Sequence, residues 1–359
     1  MFIRSVCHES GSFLKKGAFA LIAGILGCVL PLGAQTPMPV SIGAGMRTSF
    51  VHTGRTSPIT GSNDRFLLES ARIYVNGTAA PDIKFTFNTE YDGASNKIGV
   101  LDAIARYEPS AGFNLWMGRL LPPSDRANLH GPYYAHEWAS YTDSIQDGYP
   151  TIATGRDNGF VYWGDYGKVK VSAGAFDGPT TSGSPKVITA ARLQVNFWDP
   201  ESGYYLNGTY YGGKKLLSLG GAIQNQSGNT ATTADFLAEK KLSGGGVVSL
   251  QSEFSYYDKL GGWDSSYGLS RGAFLLGSYM FPQKIGMGQV EILGKFAEAS
   301  FAKGVTPANI YYKQKTSEAN LSYIIKEFNA RVTAFYTNKK FTAVKNDVWT
   351  IGLGVQIQM

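Results

Sequence analysis

The stretch IKFTFNTEY, residues 83–91, alternates between apolar or aromatic side chains and polar or charged ones. One face would carry Ile83, Phe85, Phe87, Thr89 and Tyr91, and the other Lys84, Thr86, Asn88 and Glu90. A repeat of two residues is the repeat of a β-strand. Because large apolar groups would line one surface and charges the other, the pattern favours a barrel with lipid outside and water inside.

The same alternation returns in short segments from about residue 40 to the last residue. It predicts sixteen strands, at 39–52, 65–77, 82–92, 98–108, 112–120, 159–164, 168–176, 187–198, 216–226, 233–242, 247–257, 272–281, 289–299, 313–325, 329–338 and 347–359. A seventeenth strand could be drawn at 204–212. Closed antiparallel barrels of the bacterial type have an even number of strands, so we interpret 204–212 as a long turn. The predicted fold is all-β, a transmembrane antiparallel β-barrel.

The N-terminus has the pattern of a secretory signal peptide. Arg4, Lys15 and Lys16 precede an apolar run at 17–32, and small residues follow at Gly33 and Ala34. We expect residues 1–34 to be removed and residues 35–359 to form the barrel. In a second interpretation, the sequence ILGC ending at Cys28 resembles a lipobox, which would make Cys28 a lipidated first residue.

Composition excludes several classes of protein. After residue 34 there is no run of eighteen apolar residues, so a helical membrane protein is excluded. A strand-rich chain of about 325 residues is also larger than one soluble β-sandwich domain. Both cysteines lie in residues 1–34, so the mature chain has no disulfide or thiolate metal site. Its formal charge falls from +6 to about +4, and no clustered basic helix suggests nucleic-acid binding.

The alternation stops for one long segment, residues 121–158. The joins near 79–82 and 109–112 are short, as expected for periplasmic turns, whereas long insertions belong on the external side. The segment holds Arg126 and Arg156, no lysine and five acidic residues. It follows the fifth predicted strand, so we expect it to be the third external loop.

Several motifs resemble segments of the phosphate-selective porin O and P family. They are RFLLESARIYVNG at 65–77, WMGRLLPP at 116–123, DNGF at 157–160, YYGGKK at 210–215 and ANLSYIIKEFNA at 319–330, and they span most of the mature chain. The resemblance implies a sixteen-stranded homotrimeric porin whose third external loop folds inward as a constriction. Members named for phosphate carry lysine and arginine at the constriction, so the lack of lysine in 121–158 is a departure.

Charges on the inward face give the candidate pore lining. Eight basic residues stand against four acidic ones, Glu90, Asp102, Glu253 and Glu291; the basic residues are Arg72, Lys84, Arg106, Lys168, Lys170, Arg192, Lys295 and Arg331. An excess of positive charge in a narrow pore attracts anions. We expect the field to come from Arg72, Arg106, Lys168, Lys170 and Arg192, and solute to touch Arg119, Arg126 and Arg156. Alternatively, these groups pair with one another and stiffen the lumen.

The aromatic residues of the loop have two interpretations. Tyr133, Tyr134, Trp138 and Tyr141 could stack on a solute, or could pack the loop against the wall. His130 and the pair His136-Glu137 lack the second histidine, one helical turn away, of a zinc hydrolase helix. We therefore expect no catalytic residue, metal or cofactor.

The sequence thus predicts an outer-membrane porin of a Gram-negative-type bacterium. It would be a water-filled channel, set in outer-membrane lipid, for passive diffusion of small hydrophilic solutes with a weak anion, or phosphate, preference. Two alternatives stay open. One is a structural or ligand-binding barrel with a plugged lumen, and the other is a channel for sugar-like solutes guided by the loop aromatics.

Overall fold

The computed structural model describes residues 39–56, 61–139, 155–178, 186–260, 267–303, 311–342 and 347–359. The predicted signal peptide and Tyr141 lie outside these ranges. Among the described residues, no helix is long and apolar enough to cross a membrane.

Sixteen strands form the described structure, as the alternation predicts. Their bounds are β1 Val40–Thr56, β2 Gly61–Ala80, β3 Ile83–Asp92, β4 Lys97–Ser110, β5 Phe113–Leu120, β6 Asp157–Tyr166, β7 Val169–Phe176, β8 Ile188–Asn196, β9 Leu216–Gln226, β10 Asn229–Lys241, β11 Val247–Asp258, β12 Tyr267–Ile285, β13 Gly288–Lys303, β14 Tyr311–Lys326, β15 Ala330–Phe341 and β16 Asp347–Gln358. One short helix, α1, covers Arg126–His130. Residues 204–212 contain no strand, in agreement with their interpretation as a turn.

The strands form one closed antiparallel sheet. Each strand pairs with its neighbours in sequence, and β1 pairs with β16 from Gly45 opposite Gln358 to Thr56 opposite Asp347. Closure leaves no strand edge without hydrogen-bond partners, and a barrel in lipid needs this because lipid offers none.

The two faces of the sheet differ as the alternation requires. On the outside, Leu193, Leu275, Leu321 and Leu353 are each about half exposed. Their inward neighbours include the buried Arg192 and Asn320. The apolar exterior suits contact with lipid, and the polar face lines the lumen.

Connections divide the barrel into two ends. At the end that holds the start of β1, which we call the turn end, most joins are short, such as 81–82, 111–112 and 167–168. At the opposite loop end lies the connection 121–156. One turn-end connection, 197–215, is also long. Residues 121–139 of the first connection and 201–210 of the second enter the lumen, where a hydrophobic core including Leu121, Leu129 and Leu206 forms between them and the wall.

The closed sheet predicts behaviour on a gel. Unheated protein in dodecyl sulfate should migrate differently from boiled protein, because a closed barrel has no edge at which unfolding can start. Paired gel lanes and circular dichroism test this expectation. A helical spectrum, or one band position in both lanes, would contradict the barrel.

Candidate functional site: the lumen

The first inward segment, residues 121–139, descends from the loop end and is almost wholly buried. Its helix α1 begins after Asp125, whose side chain accepts a hydrogen bond from the backbone N–H of Asn128 at 2.8 Å. Gly131 ends the helix with φ of 61°, a conformation that favours glycine. The predicted inward position of this loop is therefore present in the fold.

Arginines of the wall hold the irregular backbone of this segment. Arg47 donates to the carbonyl oxygen of Trp138 at 2.6 Å, and Arg192 to that of Ser124 at 3.0 Å. Arg331 donates to the carbonyl oxygens of Ala135 and His136, both at 3.0 Å. These guanidinium groups replace the water that exposed carbonyls would otherwise bind.

Two buried ion pairs fix the middle of the segment. His136 Nε2 lies 2.7 Å from Glu291, and Lys295 Nζ lies 3.0 Å from Glu137. Burial alone would lower the pKa of His136, but the charge and hydrogen bond of Glu291 outweigh it and raise that pKa. Burial would raise the pKa of Glu137, but Lys295 and His130 lower it to about 2. His136 and Glu137 are therefore each held by an ion pair with a side chain of the wall.

The aromatic residues of the segment mostly pack against the wall. Trp138 stacks on Phe335 with 5.8 Å between ring centroids, and the Arg47 guanidinium lies 4.2 Å from its ring. The hydroxyl of Tyr133 donates to the carbonyl oxygen of Ser70 at 3.2 Å. The burial of Tyr133 and Trp138 favours the interpretation that these rings pack the loop against the wall over stacking on a solute. Tyr134 remains 39% exposed.

Glycines in the wall make room for these rings. A Cβ atom at Gly354 would come within 2.2 Å of the Trp138 ring, and one at Gly45 within 2.7 Å of the Tyr133 ring. A side chain at either position would therefore collide with an aromatic ring of the first inward segment.

The second inward segment, residues 201–210, enters from the turn end. It meets the first segment through several backbone and side-chain contacts. The hydroxyl of Tyr204 donates to the carbonyl oxygen of Leu121 at 2.7 Å, and the N–H of Gly208 to that of Tyr134 at 2.8 Å. The sequence predicts a long turn at 204–212, but no local pattern indicates that this part of the chain enters the lumen.

One ion pair joins the two segments. Arg126 donates to both carboxylate oxygens of Glu201, at 2.8 and 2.6 Å, and neither side chain is exposed. Burial would raise the pKa of Glu201, but Arg126 lowers it to about 2, so the carboxylate stays charged. Arg126 also donates to the backbone oxygen of Asn207 at 2.9 Å and lies 3.6 Å from Asp235.

A wall carboxylate anchors the second segment. Glu239 accepts hydrogen bonds from the hydroxyl of Thr209 at 2.6 Å and from the N–H groups of Tyr210 and Gly212 at 3.0 and 2.7 Å. Glu239 thus accepts hydrogen bonds from donors of the second segment. In the same way, arginines of the wall donate hydrogen bonds to carbonyl oxygens of the first segment.

Most predicted pore-lining residues are inward but paired. Arg72 lies 2.8 Å from Glu90, Arg156 lies 2.6 Å from Asp102, and Arg192 forms an ion pair with Asp235. Lys170 donates to the carbonyl oxygen of Gly203. These charges bind other parts of the chain, as the alternative interpretation holds.

Two of the residues predicted to line the pore lie outside the buried part of the lumen. Arg119 shares the outward face of β5 with Met117, at the loop end, and donates to the carbonyl oxygen of Val100 at 3.2 Å. Its expected contact with solute does not fit this placement, because alternation along β5 turns it away from the lumen. Lys168 is exposed at the turn end and donates to the carbonyl oxygen of Phe197 at 3.0 Å.

The inward face also holds carboxylates that the sequence analysis missed. Each lies an even number of residues from the inward-facing residues of its strand and so points to the same side. They are Glu108, Asp165, Asp235, Glu239 and Glu318. Asp235 and Glu239 lie within the predicted strand 233–242, so the alternation could have identified them. These residues offset the predicted excess of basic charge on the wall.

Water-accessible wall remains on one side of the described lumen. Inward ionic side chains of β3 and β4 keep some exposure, 39% for Lys84, 19% for Arg106 and 13% for Glu108. On β10 and β13, by contrast, Asp235 and Lys295 are each 1% exposed under the inward segments. Glu69 of β2 is also 26% exposed, so the accessible polar strip runs along β2–β4.

Known structures share this fold at low sequence identity. An anion-selective porin from Comamonas acidovorans aligns with TM-score 0.59 and 13% identity over 90% of this chain and 100% of its own. The outer membrane channel DcaP of Acinetobacter baumannii gives 0.57 and 15% over 91% and 99%. A trimer form of Vibrio cholerae OmpT gives 0.55 and 10% over 90% and 100%. No protein-family model and no curated protein matches the chain.

These likenesses establish the porin fold. Together with the apolar exterior of a closed antiparallel barrel, that fold places the chain in a Gram-negative outer membrane. The resemblance to the phosphate-selective porin family stays a prediction.

The ion pair between Arg126 and Glu201, which joins the two inward segments, should have a measurable effect on stability. Glu201→Gln should destabilise the barrel by roughly 3 kcal/mol, because the buried Arg126 would lose the carboxylate that it binds through two nitrogens and keep only Asp235 at 3.6 Å, which also pairs with Arg192. Urea unfolding in detergent, followed by tryptophan fluorescence, measures the change. Glu298→Gln is the matched control, since the Glu298–Lys315 pair is 40% and 50% exposed and should change stability by less than about 1 kcal/mol. If both substitutions changed the free energy of unfolding equally, the Arg126–Glu201 ion pair would not have the stabilising role inferred for it.

Proposed function

We propose that this chain is a passive diffusion channel for small hydrophilic solutes, with a weak preference for anions. The observation that carries the proposal is the accessible polar strip along β2–β4, which persists although two segments fill the rest of the described lumen. Concentration gradients would drive transport, and the proposal includes no catalytic step.

The ionic side chains that remain exposed on the strip support the anion preference better than the sum of all charges on the inward face does. On the strip, Lys84 at 39% is more exposed than Glu69 at 26%, and Arg106 at 19% is more exposed than Glu90 and Glu108 at 13% each. A solute in the strip would thus meet positive groups first, and such a field favours anions. The Comamonas acidovorans porin, which shares the fold, is itself anion-selective. Phosphate is one anion within this proposal.

Assembly and surroundings belong to the same proposal. The apolar exterior would face outer-membrane lipid, and three copies would associate as a homotrimer. A trimer form exists for Vibrio cholerae OmpT, which shares the fold. No nucleic-acid partner is proposed.

A second candidate is a barrel with a plugged lumen and a structural or ligand-binding role. It is favoured by the burial of the inner wall under both inward segments, with Arg126 and Tyr133 fully covered. Conductance across a planar bilayer separates the two candidates, since a plugged barrel carries no steady current. The sugar-guiding alternative now depends on Tyr134 alone among the described loop aromatics, since Tyr133 and Trp138 are buried.

Shortening the first inward segment should raise conductance severalfold. Replacing residues 133–138 by a two-residue glycine-serine linker removes side chains that fill the lumen, and a sixteen-stranded barrel without them is wide enough for an aqueous channel. Single-channel recording measures the change. The same linker in place of loop-end residues 93–96 is the control and should leave conductance near the wild-type value.

The selectivity of the wild-type channel is a separate expectation. In a potassium chloride gradient, the reversal potential should show a modest preference for chloride, because Lys84 is more exposed than each inward carboxylate with which it shares the strip, Glu69, Glu90 and Glu108. Strong cation selectivity would contradict the anion preference while leaving the channel itself intact.

A further inference from the structure

A cluster of basic and aromatic side chains lies at the turn end of the accessible strip. Strands β3, β4 and β5 contribute Lys84, Arg106, Glu108 and Trp116, and the second inward segment contributes Tyr205. Its position at one mouth of the lumen means that any solute using the strip would pass it.

Glu108 organises the cluster. One carboxylate oxygen accepts from Lys84 Nζ at 2.8 Å, and the other accepts from Trp116 Nε1 at 2.8 Å. Arg106 Nε lies 3.7 Å from that second oxygen, which is beyond hydrogen-bond distance. With two cations and one carboxylate, the group carries one net positive charge.

Arg106 differs from the other arginines of the wall. Arg47, Arg192 and Arg331 donate hydrogen bonds to the first inward segment, whereas the Arg106 guanidinium donates none to any residue in the described ranges. It lies instead over Trp116, 5.6 Å from the ring. A guanidinium has five N–H donors in a planar fork that matches a carboxylate. Nε of Arg106 is buried, but the side chain as a whole is 19% exposed, so the other guanidinium nitrogens are left for a solute.

An aromatic surface lies beside these donors. Tyr205 packs on Trp116 with 5.7 Å between ring centroids and is 37% exposed, whereas Trp116 is buried. The Tyr205 ring can thus contact the planar body of a solute whose charged group is bound by Arg106.

We propose that this cluster is a binding site for small aromatic carboxylates, in which Arg106 binds the carboxylate and Tyr205 contacts the ring. The inference rests on the proposed channel function and names its preferred solute class. Lys84 holds Glu108 and adds positive charge. Inorganic phosphate would satisfy Arg106 but not Tyr205, so the two anions are distinguishable.

The test is a block of chloride current in a planar bilayer by sodium benzoate, compared with acetate and phosphate. Benzoate should reduce the current in a saturable way at lower concentrations than acetate or phosphate. Arg106→Gln should raise the half-blocking concentration of benzoate at least about fivefold, since a charged hydrogen bond is lost. Tyr205→Leu should reduce the difference between benzoate and acetate.

Lys326→Gln is the matched control, because it removes one exposed positive charge from the same end of the barrel, at the end of β14. It should change the half-blocking concentration by less than about twofold. Equal effects of Arg106→Gln and Lys326→Gln would overturn the site in favour of a general field. Equal block by phosphate and benzoate would overturn the aromatic part.

A calorimetric titration separates failure of the site from failure of the channel. If the wild-type protein carries no current, the proposed function fails, but saturable binding of benzoate that is weakened by Arg106→Gln would still support the site. Current without any discrimination among the three anions would overturn the site and retain the channel.

Discussion

The interior of this barrel depends on one constraint, which is that an irregular segment inside a lumen must have hydrogen-bond partners for its backbone. Helices and strands satisfy their own N–H and C=O groups, but residues 121–139 contain only one short helix. Wall side chains supply the missing partners, with Arg47, Arg192 and Arg331 as donors and Glu253 and Glu318 as acceptors. Much of the charge on the wall is therefore used to hold the segment.

This use of charge changes how a pore lining is understood. An inward arginine is commonly taken as part of the field that a solute meets, yet a guanidinium bound to a buried carbonyl presents little of its charge to the lumen. Selectivity then depends on the few groups that the inward segments leave accessible. In the described lumen these include Glu69 on β2, Lys84 on β3 and Arg106 on β4, and Arg106 has no hydrogen-bond partner among the described residues.

The sequence predicted the barrel well because its signal is local. Alternation needs only the pleat of one strand, and the predicted strand 216–226 coincides with β9. The lumen was less predictable because its contacts are distant in sequence. Arg126 meets Glu201 and His136 meets Glu291, and no local pattern marks either pair. The inward course of residues 201–210 depends on the same distant contacts, so the sequence indicated only that they form no strand.

The joint between Arg126 and Glu201 links segments that enter from opposite ends of the barrel. Each charge is fully buried, so separating the segments would break the hydrogen bonds that Arg126 donates to both oxygens of Glu201, in a site that excludes water. Neither segment can therefore leave the lumen alone without a large cost in free energy. Motion of the second segment at Tyr204 or Gly208 would also break its hydrogen bonds to Leu121 and Tyr134. The two segments thus behave as one unit, and a solute passes beside that unit, along β2–β4, rather than through it.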